Sequence, residues 1–129
     1  IKEVEKVDTE KLYFIDAVPY SYIFPYVRGV VHHGGCTTNG LSLLYGCPTL
    51  VIPLGLDQYF YGRMDNRLGA GPAPLYIRKK LCTTEQIESA LLDLVSGQYD
   101  EAARVISAKM QRENGVACAA DAIEKYVRG

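Results

Sequence analysis

The run His32-His33-Gly34-Gly35-Cys36-Thr37-Thr38-Asn39 collects the residue types that a phosphate-binding turn needs. Two successive glycines let the main chain turn tightly and leave no Cβ between it and an anion. A helix opening directly behind them offers N–H groups with no partner inside the helix, together with the positive end of its dipole. The hydroxyls of Thr37 and Thr38 add two donors, and His33 can supply an N–H or a partial positive charge to the same phosphates. His32, its neighbour in an extended chain, should point to the opposite side. The expected chemistry is the cradling of a diphosphate. Alone, a Gly-Gly before a helix is also just a tight turn, so the reading depends on what lies around it. Adjacent histidines invite a metal site, but strand neighbours point apart and no third ligand stands at a suitable spacing, so no metal is expected. No Gly-Lys-Ser/Thr follows the glycines, which argues against ATP hydrolysis.

A second chemical element is Pro53-Leu54-Gly55-Leu56-Asp57-Gln58, which ends in an adjacent carboxylate and amide. These groups form a compact array of acceptors and donors that matches the vicinal hydroxyls of a hexose. The bland alternative makes Asp57 no more than a helix N-cap.

Both elements need a scaffold that brings them to one edge. Leu12-Tyr13-Phe14-Ile15 reads as a first buried strand, and Tyr20 to Tyr26, with Pro25 inside it, as a connection holding one helical turn. Gly29 to His32 reads as a second strand. Thr37 to Tyr45 follows as a helix with an apolar face at Leu41, Leu44 and Tyr45, closed by Gly46. Thr49 to Ile52 gives a third strand, and Gln58 to Leu68 a helix with Gly69 behind it. Ala70 to Pro74 is too rich in Gly and Pro for a helix, and Leu75 to Ile77 suits a short edge strand. Thr83 and Gln86 form a capping box for a helix from Thr84 to Val95 with the stripe Ile87, Leu91, Leu94 and Val95. Helices from Glu101 to Arg112 and from Ala117 to Val127 complete the chain, with Gly115 between them. Strands alternating with helices define an α/β fold with a parallel sheet flanked by helices, in which ligands bind at the carboxyl ends of the strands.

The 129 residues suit one domain, and 48% hydrophobic with 22% charged residues is a globular composition. A net charge of -1 provides no basic excess for nucleic acid, and Arg78-Lys79-Lys80 is expected to be a solvated loop edge. Cys36, Cys47, Cys82 and Cys118 are widely spaced, which suggests reduced thiols in a cytosolic compartment. No apolar run is long enough for a membrane span and no signal peptide is visible. The chain opens without Met on a charged segment, Ile1 to Lys11, and has fewer strands than a full nucleotide-binding domain, so a fragment is expected.

Taken together, these residues resemble the UDP-sugar-dependent glycosyltransferases with two Rossmann-like domains (GT-B fold), and among them the sterol 3-beta-glucosyltransferases. The likeness runs from Leu12 to Leu91. It rests on Ile15-Asp16 with Pro19, Phe24-Pro25, Val30 to Gly35, Gly46-Cys47-Pro48, Pro53 with Asp57-Gln58, and Gly69-Ala70-Gly71-Pro72-Ala73-Pro74. The resemblance implies that residues 1–129 form a single C-terminal, nucleotide-sugar-binding domain of a two-domain enzyme. It places the diphosphate on His33, Gly35, Cys36, Thr37 and Thr38, the transferred sugar on Asp57 and Gln58, and the uracil against the main chain at Val18. It also implies transfer of glucose from UDP-glucose to a sterol or other lipid hydroxyl with inversion and without a metal or other cofactor. No catalytic residue is expected in this chain, because the family's base and acceptor pocket belong to the N-terminal domain. Chain alone, it is expected to be inactive, with the longer protein cytoplasmic and in peripheral contact with membrane. The sequence departs from the family at Thr37, where Gly is usual, at Asn39, where a second Thr is usual, and at Leu41, where related plant enzymes carry a ribose-binding Glu. The expected truncation, with the departures at Thr37 and Leu41, motivates an alternative, a non-catalytic or partner-dependent nucleotide-sugar-binding subunit. A sugar-nucleotide epimerase would need acid and base residues flanking the cradle, and none is found.

Overall fold

The computed structural model describes residues 11–77 and 82–128. The basic run Arg78-Lys79-Lys80 and residues 1–10 of the charged opening segment lie outside the described residues. In chain order the elements are α1 (Tyr20–Ile23), a 3-10 turn (Phe24–Tyr26), β1 (Val30–His32), α2 (Cys36–Leu44), β2 (Thr49–Val51), α3 (Gln58–Arg67), α4 (Thr84–Leu94), α5 (Asp100–Met110) and α6 (Gly115–Arg128). The α/β class expected from the sequence is the class observed.

The sheet is smaller than expected. β1 and β2 pair in parallel with Val30 opposite Thr49, Val31 opposite Leu50 and His32 opposite Val51. Pairing extends one step each way, through Val30 N–H to Pro48 O at 2.9 Å and Ile52 N–H to His32 O at 2.8 Å. The expected first strand at Leu12–Ile15 does not form: the segment is exposed and belongs to no sheet among the described residues, where its aromatic and apolar side chains find no strand to pair with. The expected edge strand at Leu75–Ile77 does not form either, although the chain does run along the free edge of β2. Thr49 N–H bonds to Ala70 O at 2.9 Å and Leu75 N–H to Val51 O at 3.0 Å. Between those two bonds stand Pro72 and Pro74, which have no N–H to give to a ladder. Gly71 lets this lane lie close, since a Cβ there would sit 1.8 Å from Thr49 O.

The core gathers Phe24, Leu43, Cys47, Leu50, Val51, Ala70, Leu94 and Ala103 around β2. α2 packs on α5, while α3 and α4 pack on β2. The buried face of α2 is Asn39, Ser42 and Leu43, each two positions before the expected Leu41, Leu44 and Tyr45, which puts it on nearly the opposite side of the helix. That face meets α3 and α5 at once, and its polar members find partners there or in the preceding turn, as with Ser42 Oγ donating to Thr38 O at 2.8 Å. Ser107 of α5 donates to Leu44 O at 2.6 Å, satisfying a terminal carbonyl of α2, and Gly46 leaves the helix at φ 71°. The capping box at Thr83 and Gln86 forms as expected, but of the stripe on α4 only Leu94 is buried. α6 begins at Gly115 rather than Ala117 and buries none of its side chains.

Candidate functional site

β1 and β2 are parallel and end side by side, so the loops that follow them leave from one carboxyl edge. Gly34 takes φ 90°, and a Cβ on it would lie 2.6 Å from Val51 Cγ1 and 3.1 Å from Gln58 O. Only glycine fits there, and the contact brings the turn after β1 against the first residue of α3. Gly35 then occupies the N-cap of α2 with no capping side chain, and the first helical bond runs from Asn39 N–H to Gly35 O at 2.9 Å. The N–H groups of Cys36, Thr37 and Thr38 precede that bond, so no helix carbonyl is available to them. Cys36 and Thr37 are exposed and Thr38 is half-buried. His33 is exposed, with its ring over the turn: a Cβ on Gly35 would sit 2.6 Å from His33 Nε2.

His32 has a different task. Its Nδ1 accepts from Gly34 N–H at 2.9 Å, which leaves the ring proton on Nε2 to donate to Thr49 Oγ1 at 2.6 Å. Burial, and secondarily the neighbouring His33, pushes its pKa down to about 4, so the ring is neutral near pH 7. Sequence reasoning turned His32 away from the cradle but missed that it pins the cradle's backbone to β2. The signal was Thr49 at the first position of the adjoining strand.

The second loop is tight. Gln58 Oε1 accepts from Leu54 N–H at 2.8 Å and Gly55 N–H at 3.1 Å, so its oxygen is spent inside the loop. Leu56 stands at the tip with φ 55° and is 92% exposed. Asp57 holds the N-cap position of α3 without a side-chain capping bond, and its carboxylate is exposed. Asp57 is thus the N-cap by position, as the bland reading has it, but its side chain does not make the capping bond. Cradle and Asp57-Gln58 loop are brought together through Gly34. Val18 lines a different cleft of about 630 Å³, with Asp16, Pro19, Tyr20 and Phe24, where the Tyr20 and Phe24 rings stack at 4.7 Å. A third cleft of about 580 Å³ lies between Pro72–Tyr76 and the Glu85, Gln86 and Asp93 side of α4.

Beneath the cradle is a pair the sequence analysis did not single out. Asn39 and Asp65 are each 1% exposed, and Asn39 Nδ2 donates to Asp65 Oδ1 at 3.2 Å. Burial raises the Asp65 pKa to about 6, an effect that the Asn39 hydrogen bond only partly offsets. The available signal was polar Asn39 among the small and apolar residues of a helix that had to bury one face. Among the described residues, no group of three or more His, Cys, Asp or Glu side chains is placed to hold a metal. The four cysteines are free thiols, and no helix among the described residues is long and apolar enough to cross a membrane.

Comparison with known proteins places this geometry. Residues 3–125 match the profile of the Erythromycin biosynthesis protein CIII-like, C-terminal domain. The chain belongs to this family. Sequence relatives of the CIII-like domain include a terpene cyclase-glycosyl transferase fusion protein of Humicola fuscoatra, 37% identical, covering 88% of this chain and 9% of the relative. A sterol 3-beta-glucosyltransferase of Arabidopsis thaliana is 30% identical over 92% of this chain and 19% of the relative. One from Pichia angusta is 32% identical over 94% and 9%. The chain thus spans less than a fifth of these relatives. In fold it is similar to spinosyn forosaminyltransferase, with TM-score 0.79, 19% identity, and coverage of 92% of this chain and 31% of that one. A glycosyltransferase of kitacinnamycin gives TM-score 0.71 at 24% identity, covering 84% of this chain and 28% of that one. The resemblance to sterol glucosyltransferases, read from Leu12 to Leu91, is borne out by these relatives.

Proposed function

We propose that this CIII-like domain is the donor-binding half of a UDP-glycosyltransferase that moves glucose from UDP-glucose to a sterol or other lipid hydroxyl. The observation that carries the reading is the uncapped start of α2 beneath Gly34 and Gly35, set directly against the start of α3. N–H groups of Cys36, Thr37 and Thr38, with the Thr37 and Thr38 hydroxyls, meet the diphosphate, and Gly35 gives it room. His33 adds a donor from above the turn. Asp57 accepts from sugar hydroxyls, and Gln58 offers them its amide Nε2, since its oxygen is engaged. The main chain at Val18 receives the uracil, and no metal or other cofactor takes part.

In the reaction the acceptor oxygen bonds to the anomeric carbon from the face opposite the diphosphate. The bond from that carbon to the β-phosphate oxygen breaks, and its electron pair leaves with UDP, so the anomer inverts. The acceptor's proton goes to a base outside this chain, in the N-terminal domain of a longer enzyme. The helix start and His33 stabilise the charge that grows on the departing UDP. The departures at Thr37 and Leu41 support the alternative of a partner-dependent subunit. Calorimetric titration of the chain with UDP and UDP-glucose separates the two: heat saturating in the micromolar to millimolar range is expected, and none at millimolar ligand would favour the subunit.

A further inference from the structure

Asn39 and Asp65 link the two helices whose starts make the candidate site, and their hydrogen bonding is incomplete in an informative way. Asn39 Nδ2 donates to Asp65 Oδ1, yet Asn39 Oδ1 and Asp65 Oδ2 are both buried without a partner. Those two atoms are both acceptors when the carboxyl is ionised, so neither can serve the other. A proton on Asp65 Oδ2 changes that at once, because it makes the donor that Asn39 Oδ1 lacks. Buried polar groups left unpaired are costly, which gives the proton its driving force.

We propose that Asn39 and Asp65 form a proton-dependent clasp between α2 and α3, closed by two hydrogen bonds when Asp65 is protonated and held by one when it is not. Among the described residues no charged side chain acts on Asp65, whose surroundings are burial and the Asn39 hydrogen bond. α2 and β2 carry no charged residue, and His32, the ionisable side chain of β1, is held neutral. On α5, Asp100 faces Arg28 at 3.8 Å and Arg104 faces Glu101 at 2.8 Å, while Arg63 and Arg67 of α3 itself are exposed. The pKa of about 6 at Asp65 agrees with this account. Gly35 to Thr38 ride on the start of α2 and Asp57-Gln58 on the start of α3, so the clasp sets their spacing. This last consequence rests on the donor-binding reading; the clasp does not.

Asp65 is a positioning residue, and its test reads protonation directly. The 13C carboxyl resonance of Asp65, assigned through its own backbone, is followed from pH 3.5 to 8 in the unaltered chain together with the Asn39 side-chain amide. Expected is a midpoint near 6 with the Asn39 amide protons moving in step. A midpoint near 4, the ordinary Asp range, or Asn39 protons indifferent to it, overturns the clasp. UDP affinity is then compared between the unaltered chain and Asp65→Asn, whose amide can keep both bonds at any pH. The titrations of UDP and His33 are common to both proteins, so the ratio isolates Asp65. It should be near one at pH 5 and rise to about fivefold in favour of the variant at pH 7.5, the low end of couplings between sites; a ratio constant with pH overturns the link to the site. If neither protein binds UDP while Asp65 titrates near 6, the donor reading falls and the clasp stands.

Discussion

At the residue scale two neighbouring histidines do opposite things. His33 is exposed over Gly35, and we expect His33→Ala in a complete enzyme to lower turnover by about 10²–10³-fold, the effect of losing one donor to a developing oxyanion. Steady-state rates at saturating donor check this, and unchanged turnover would remove His33 from the diphosphate. His32 and buried Asp65 together predict an unusual pH profile of stability. Between about pH 4 and 6, unfolding takes up a proton at His32, whose pKa rises from about 4 to 6.5, and releases one at Asp65, whose pKa falls from about 6 to 3.8. The two contributions oppose each other, so they nearly cancel in the native chain. Asp65→Asn leaves the His32 contribution, and stability should then rise with pH across the window by about 1.4 kcal/mol per unit. His32→Gln leaves the Asp65 contribution and should reverse the slope. Urea unfolding at half-unit steps of pH decides both, and equal slopes in the two variants would show that the groups do not titrate as described.

At the element scale the legible features were those written in local chemistry. Thr83 and Gln86 announced α4, Gly46 and Gly69 closed α2 and α3 at positive φ, and β1 and β2 stood where short apolar runs met Gly34 and Pro53. What could not be read was anything that depends on a partner. Leu12–Ile15 has the composition of a strand, but a strand exists only where another lies beside it. Residues 70–75 do lie beside β2, yet Pro72 and Pro74 withhold the donors a ladder needs. The buried face of α2 was misjudged by two positions, nearly half a turn, because Asn39 finds Asp65, 26 positions away. Half of the candidate site was legible for the same reason: a Gly-Gly turn is local, whereas its contact with Gln58 is tertiary. Gly34→Ala should cost about 2–3 kcal/mol, combining a left-handed backbone with a clash on Val51 and Gln58. It should also weaken UDP binding, as denaturant melts and calorimetry would show. Loss of stability with affinity intact would mean that the contact does not align the site. Thr83→Ala removes the capping box far from the cradle and should cost about 1 kcal/mol with no change in affinity.

At the scale of the whole molecule, a two-stranded parallel sheet carries two loops to one edge, where the proposed donor site lies. α6 and the segment Leu12–Ile15 leave apolar side chains in water, as do Leu54 and Leu56 in the loop beside the cradle. Under the proposed function, donor recognition is the part of the reaction that falls to this chain. The direct measurement is 1H–15N chemical-shift mapping of the chain during titration with UDP. The account predicts that the largest shifts fall on the amides of Gly35, Cys36, Thr37 and Thr38, with smaller ones at Asp57 and Gln58. Shifts centred instead on the cleft between Pro72–Tyr76 and α4, with the start of α2 unmoved, would contradict it.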